Sequence, residues 1–227
     1  MKFGVVIFPG SNCDKDMIYV LSNILKQEVV ELWHKDRDLK HCDFIILPGG
    51  FSFGDYLRSG AIAKFSPIMQ EIITFANNGG YVLGICNGFQ ILTESGLLPG
   101  ALMHNNSHKF ICKNIFLKTI SKETKITSLY NDSAIKIPIA HGEGKYFADD
   151  KTLASLEEND QILFKYCDRN GKVNSEANPN GSSFNIAGVC NKNRNVFGMM
   201  PHPERASDLE LKNTDGLTLF KSILENI

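Results

Sequence analysis

Tyr81-Val82-Leu83-Gly84-Ile85-Cys86-Asn87-Gly88-Phe89-Gln90-Ile91-Leu92 is the stretch that decides the fold. Residues 81–85 form a short apolar run that follows the stop signal Asn78-Gly79-Gly80 and reads as a buried strand. From about Asn87 to Ser95 the pattern reads as a short helix. A strand that passes into a helix through Gly-x-Cys-x-Gly has the context of a nucleophile elbow. The glycines have a steric reason. The residue between them sits on a sharp, strained turn, and side chains two positions either side would collide with the neighbouring strand and helix. A thiol at a helix N-terminus is stabilised as the thiolate, its reactive form. The backbone N–H of Asn87 would face a developing oxyanion. The same pattern also fits an inert cysteine in an ordinary strand–turn–helix, so the rest of the chain must supply a catalytic context.

Working outward, Phe3 to Phe8 reads as a strand, and Ser11-Asn12-Cys13-Asp14 as a helix start after the Pro9-Gly10 turn. Met17, Val20, Leu21 and Ile24 recur at helical spacing. Val29 to Trp33 and Asp43 to Leu47 read as strands, the latter ending in Pro48-Gly49-Gly50. Ser66 to Asn77 reads as a helix. Strands alternating with helices imply an α/β fold, a three-layer, doubly wound, mostly parallel sheet covered on both faces. Ligands bind such sheets beyond the carboxyl ends of the strands. The turns Pro9–Asn12, Pro48–Phe51 and Gly84–Gly88 all fall there. The second half is strand-rich, with candidates at 113–120, 134–140, 161–168, 185–190 and 196–200. A last helix covers about 215–225, and the remainder reads as turns.

A cysteine nucleophile needs a base oriented by a third group. His202-Pro203-Glu204 follows the apolar run Val196–Met200, and in an extended segment positions two apart point the same way. Glu204 is thus a candidate to hold one ring nitrogen of His202 while the other faces Cys86. His141-Gly142-Glu143 has the same spacing, and spacing alone does not choose between them. The glycine flanks of His141 suggest a mobile lid or substrate loop, whereas the prolines beside His202 stiffen its segment, which favours His202. Gly49-Gly50 permits unusual dihedrals, so an N–H there can serve as a second oxyanion donor. His104, His108 and Cys112 recur every four residues, as metal ligands on a helix would, but Asn105-Asn106-Ser107 disfavours a helix, so no metal site is expected. Cys13 reads as packed and inert. No G-x-x-x-x-G-K-[ST] or G-x-G-x-x-G follows a strand, so no self-contained nucleotide site is expected.

The chain has 227 residues with 24 Lys and Arg against 25 Asp and Glu. That balance speaks against a general nucleic-acid binder and against a polybasic membrane patch. One domain spanning 1–227 is expected. The first residues read as a strand rather than a signal peptide, and no 18-residue apolar run exists, so a cytoplasmic protein is expected. The six cysteines have no C-x-x-C spacing and should be reduced thiols.

Together these residues resemble the class I (triad) glutamine amidotransferases, a flavodoxin-like fold family. Within that class they are most similar to the glutaminase subunits of phosphoribosylformylglycinamidine synthases, which act in purine biosynthesis. The resemblance runs nearly end to end through Phe8–Asp14, Leu47–Tyr56, Gly84–Leu92, Pro138–Gly144, Asn178–Ser182 and Gly198–Arg205. It implies Cys86 as nucleophile, His202 as base and Glu204 as orienting acid. It implies oxyanion donors on the backbone N–H groups of Gly50 and Asn87, and Gln90 as a residue that contacts bound glutamine. His141-Gly142-Glu143 becomes a substrate or partner loop. The implied partners are a large synthetase subunit and a small third subunit. ATP and Mg belong to the synthetase, and no cofactor is expected in this chain. Other readings are a cysteine peptidase or stress protein on a similar fold, or a non-catalytic scaffold. The peptidase and stress-protein readings need neither His-Pro-Glu near the C-terminus nor Gln90, and an intact Cys86, His202 and Glu204 counts against a scaffold.

Overall fold

Strand β1 (Lys2–Ile7) carries Phe3, Val5 and Val6 fully buried. A strand with no polar alternation needs cover on both faces. The computed structural model describes residues 1–227. After β1 come α1 (Asp14–Tyr19), β2 (Glu28–Trp33), β3 (Phe44–Leu47), α2 (Pro67–Asn77), β4 (Tyr81–Ile85) and α3 (Asn87–Glu94). They are followed by β5 (Ala101–Met103), β6 (Ile111–Thr119), β7 (Ile135–His141), β8 (Lys145–Phe147) and α4 (Asp150–Glu158). The chain closes with β9 (Ile162–Cys167), β10 (Ile186–Cys190), β11 (Val196–Met199) and α5 (Leu217–Asn226). The chain divides into two compact units, Met1–Leu98 with Asn195–Gly198, and Pro99–Arg194 with Met199–Ile227.

In the first unit the strands lie in the order β2-β1-β3-β4-β11. The pairs β1–β2, β1–β3 and β3–β4 are parallel, with Leu47 opposite Gly84. This is the α/β arrangement that the alternating apolar runs predict. Helix α1 packs on β1, α2 on β4, and α3 on both β3 and β4. Asn195 donates from Nδ2 to the carbonyls of Ala76 (2.7 Å) and Gly80 (2.8 Å), and its own carbonyl accepts from Val82 N–H. One buried side chain thus ties the end of α2 to the start of β4. The parallel register brings the carboxyl ends of β3 and β4 side by side, where the Gly49-Gly50 turn and the Cys86 elbow begin.

The second unit is antiparallel, in the order β10-β9-β6-β7, with β5 and β8 as a separate two-stranded ladder. Along β7 the period of two makes Ile135, Ile137, Ile139 and His141 the buried set. His141 therefore continues a core face.

Helix α1 starts at Asp14, with Asp14 and Asp16 in its first turn as the sequence reads, and Ser11 before it forms an antiparallel bridge with Gly50. Other details depart from the sequence reading. Beyond Tyr19 the helix continues as a π turn through Val20–Ile24. Helix α4 falls in a region that reads as turns; it is capped by Asp149, whose side chain accepts from Thr152 N–H at 2.8 Å. No helix is long and apolar enough to cross a membrane.

Candidate active site

Cys86 caps α3 at φ 50° and ψ −106°, outside the regions open to residues with a Cβ. The two glycines hold it there. A Cβ on Gly84 would lie 2.6 Å from the Gly88 carbonyl, and a Cβ on Gly88 would lie 1.9 Å from the Leu47 oxygen. The steric reading of Gly-x-Cys-x-Gly thus has named atoms behind it. Asn87 is the first residue of α3, so its N–H has no acceptor within the helix. Its side chain is buried, accepts from Ser52 N–H at 3.2 Å and donates to Gln90 Oε1 at 2.9 Å. Gly50 has φ 141° and lies against the turn after β1, where a Cβ would stand 2.8 Å from Asn12 N. Phe51 N–H donates to Gly10 O, and Cys13 N–H to Gly49 O. The first unit thus brings Gly50, Ser52, Cys86, Asn87 and Gln90 together at the carboxyl ends of β3 and β4. Cys13 is buried at the N-cap of α1, and its Sγ–H donates to Asn12 Oδ1.

In the second unit His202 follows β11 and caps the 3₁₀ turn Pro203–Ala206. Its N–H donates to Pro138 O at 2.9 Å. His202 Nδ1 lies 2.6 Å from Glu204 Oε1, with both side chains almost fully buried. A carboxylate only accepts, so Nδ1 carries the proton and Nε2 is the basic nitrogen. The turn is packed tightly: Ser207 Oγ–H donates to Pro203 O, and a Cβ on Gly216 would come 2.2 Å from that same oxygen.

His141 has a different setting. Its Nδ1 lies 3.1 Å from Asn105 Oδ1, an acceptor, and its Nε2 is buried without a hydrogen-bond partner. Burial, reinforced by the neighbouring charge of His202, lowers its pKa to about 4. Its ring is therefore a neutral imidazole at ordinary pH. Glu143, two residues on, faces His104 Nε2 at 3.5 Å. The orienting group on His141 is thus a neutral amide, whereas His202 has a carboxylate.

The glycines around His141 do not make that segment mobile, contrary to the sequence reading. Asn105 is fully buried; it donates to His141 O and Lys109 O and accepts from Gly144 N–H. Asn180 donates to Gly144 O at 2.8 Å. A Cβ on Gly144 would stand 2.3 Å from the His141 ring, so this glycine makes room for an imidazole. Asn105, Asn180 and Ser52 are the polar residues that sequence reasoning missed. Asn180 lies in the quoted Asn178–Ser182 stretch, but nothing local marks its contact with Gly144.

The His104–His108–Cys112 spacing gives no helical ligand face. The segment between β5 and β6 is a loop, the two imidazole centroids are 6.1 Å apart, and Cys112 is exposed in β6. All six cysteines are free thiols.

Residues 1–218 match the family described as the CobB/CobQ-like glutamine amidotransferase domain. The chain is 56% identical over 225 residues to phosphoribosylformylglycinamidine synthase subunit PurQ of Koribacter versatilis (strain Ellin345), covering 99% of this chain and 97% of that protein. It is 56% identical over 222 residues to the subunit of the same name from Synechocystis sp. (strain ATCC 27184 / PCC 6803 / Kazusa), covering 97% and 99%. Among solved structures it is similar to a chain of PurLQS from Thermotoga maritima, with TM-score 0.87, 43% identity and 99% and 97% coverage. A glutamine amidotransferase from the same organism shares the fold at TM-score 0.57 and 16% identity, with 99% and 90% coverage. The glycine-braced cysteine elbow and the carboxylate-paired histidine occur in a chain matched nearly throughout by one family model: it belongs to the CobB/CobQ-like glutamine amidotransferase family.

Proposed function

We propose that this chain is the glutaminase subunit of a phosphoribosylformylglycinamidine synthase, with residues 1–227 acting as one glutamine amidotransferase domain. The name shared by relatives more than half identical over nearly the whole chain supports the synthase assignment. The observation that carries the chemistry is the buried 2.6 Å contact between His202 Nδ1 and Glu204 Oε1, which leaves Nε2 as a base.

In this reading the Cys86 sulfur attacks the side-chain amide carbon of glutamine, and His202 Nε2 accepts the thiol proton. The oxyanion takes the backbone N–H groups of Gly50 and Asn87, each worth about 3 kcal/mol of barrier. The C–N bond breaks as His202 returns the proton to departing ammonia, leaving a thioester on Cys86. Water, deprotonated by His202, cleaves the thioester and releases glutamate. Glu204 keeps the imidazole in one tautomer and stabilises its charged form. Gln90 holds the bound glutamine.

Ammonia then passes to a large synthetase subunit, assembled with a small third subunit. There formylglycinamide ribonucleotide becomes formylglycinamidine ribonucleotide at the expense of ATP with Mg. This chain needs no cofactor of its own and works in the cytoplasm. The test is Cys86→Ser in the complex reconstituted from purified subunits. Glutamine-dependent synthesis is abolished while ammonia-dependent synthesis persists; retained use of glutamine overturns the nucleophile assignment.

A further inference from the structure

We propose that Glu94 is a positioning residue that straps the loop running out from Gly50 onto the helix that carries Cys86. This rests on the glutaminase reading above, in which the Gly50 N–H receives the oxyanion.

The loop needs an external hold. Phe53, Gly54, Asp55 and Leu57 all have positive φ, between 53° and 71°. Such backbone persists only where its surroundings over-determine it. Burial of the crest does not supply that hold, because Tyr56 is 75% exposed and Leu57 88% exposed. The hold comes from ties at either end. At the start, Phe53 N–H donates to Pro9 O at 2.6 Å, and Ser52 N–H donates to Asn87 Oδ1 at 3.2 Å. The Phe53 ring meets His34 edge-on, with centroids 5.3 Å apart. At the far end Gly60, with φ 82°, lies so close to α3 that a Cβ would stand 2.8 Å from Ile91 N.

Glu94 closes the strap. It is the last residue of α3, and its side chain is only 9% exposed. Its Oε1 takes Arg58 Nη2 at 2.6 Å, and its Oε2 takes Lys64 Nζ at 3.6 Å. The two cations stand on either side of Gly60 in the chain, so one carboxylate gathers both flanks of the turn. An acid in the last turn opposes the helix dipole, and a carboxylate withdrawn from water needs paired cations. Helix stability alone gives no reason for a buried glutamate there, whereas the loop's cations do. Helix α3 thus bears Cys86 at one end and a charged clasp at the other, and the loop that starts at Gly50 is fastened to both. With the clasp open, the loop relaxes from its left-handed backbone and the Gly50 N–H loses its fixed aim. That donor acts on the oxyanion rather than on bound glutamine, so the loss falls on kcat and not on KM.

Arg58→Gln and Glu94→Gln are assayed in the assembled synthase with glutamine and with ammonia. Each lowers kcat for glutamine about tenfold, with KM within about threefold. The double variant is no worse than either single one, since both open the same clasp. Arg58→Lys keeps a cation at a contact made through one nitrogen, and it retains at least about half of the parent kcat. Arg58→Gln stands by itself if Glu94→Gln does not fold, because the Arg58 side chain is 56% exposed. Amide hydrogen exchange on the full chain reads the loop directly. Residues 52–60 exchange about tenfold faster in either Gln variant, while β1, β3 and β4 keep the parent rate. Ammonia-dependent synthesis is unchanged throughout. An unchanged kcat, a change confined to KM, losses that multiply in the double variant, or unchanged exchange in the loop overturns the proposal. A parent complex that makes no ammonia from glutamine overturns the glutaminase reading instead, and the exchange measurement still decides whether the clasp holds the loop.

Discussion

Replacing Gly88 by alanine tests the geometry of the elbow directly. The added Cβ would stand 1.9 Å from the Leu47 carbonyl oxygen, where ordinary contact begins near 3.4 Å. Both atoms belong to backbone, so no side chain can rotate aside, and α3 must lift about 1.5 Å off β3. A gap of that size forfeits more than about half of the dispersion attraction across it. Phe89, Ile91 and Leu92, fully buried on α3, lose packing with the shift. The expected cost is about 3 kcal/mol, the upper range for overpacking, or roughly a hundredfold in the folding equilibrium. Because Cys86 rides on the N-cap of α3, glutamine hydrolysis falls about a hundredfold in the molecules that remain folded. Stability is read by urea unfolding through the fluorescence of Trp33, the single tryptophan, which lies in the same unit as Gly88. Gly142→Ala is the matched control. Its nearest neighbour would be Phe110 Cδ2 at 4.0 Å, with no left-handed backbone to strain, so stability changes by less than about 0.5 kcal/mol. If Gly88→Ala unfolds within about 0.5 kcal/mol of the parent and still hydrolyses glutamine normally, the steric account of the elbow is wrong.

Two further outcomes follow from the histidines. His141 is held near 4 in the folded protein by burial, then by His202, so protonation favours the unfolded chain. Its contribution is full above about 6.5 and is lost as pH falls toward about 4, a change on the order of 3 kcal/mol. His141→Asn flattens that part of the pH–stability curve, measured by urea midpoints at neutral pH and near the lower value; parallel curves would refute the assignment. Glu204→Gln leaves His202 without a carboxylate to fix its tautomer, and glutamine-dependent turnover drops about 10³–10⁴-fold while ammonia-dependent synthesis in the complex is retained. A loss below tenfold would mean that Glu204 does not orient the base.

The parts of this molecule legible in its sequence are those whose cause is local. The parallel strands follow from apolar runs such as Phe44–Leu47, buried at every position. Gly84 and Gly88 were readable because the collisions they avoid are intrinsic to a strand–turn–helix. His202 and Glu204 meet because they are two residues apart. Helix α4 was not legible because it is a surface helix that buries only Leu153 and Leu156, and its clearest mark was the Asp149 cap. The three-residue strands β5 and β8 are too short to show a period. The setting of His141 depends on Asn105, 36 residues away, and on Asn180, placed from further along the chain. No local pattern carries such contacts, so glycines that make room for a ring read as glycines that loosen a loop. The competition between the two His-x-Glu pairs turned on the same point. Both spacings were equal in sequence, and only the fold shows that Glu143 turns to His104 while Glu204 turns to His202.

The backbone at Cys86 has one more consequence, for anyone trying to make this protein sturdier. A non-glycine residue at φ 50° and ψ −106° costs on the order of 1–3 kcal/mol. Glycine would relieve that cost, so a search guided by unfolding temperature alone would favour removing the thiol from its own turn. With Cys86 as the proposed nucleophile, durability and turnover pull in opposite directions at this single position. A stabilisation campaign therefore has to hold residue 86 fixed and seek its gains away from the elbow.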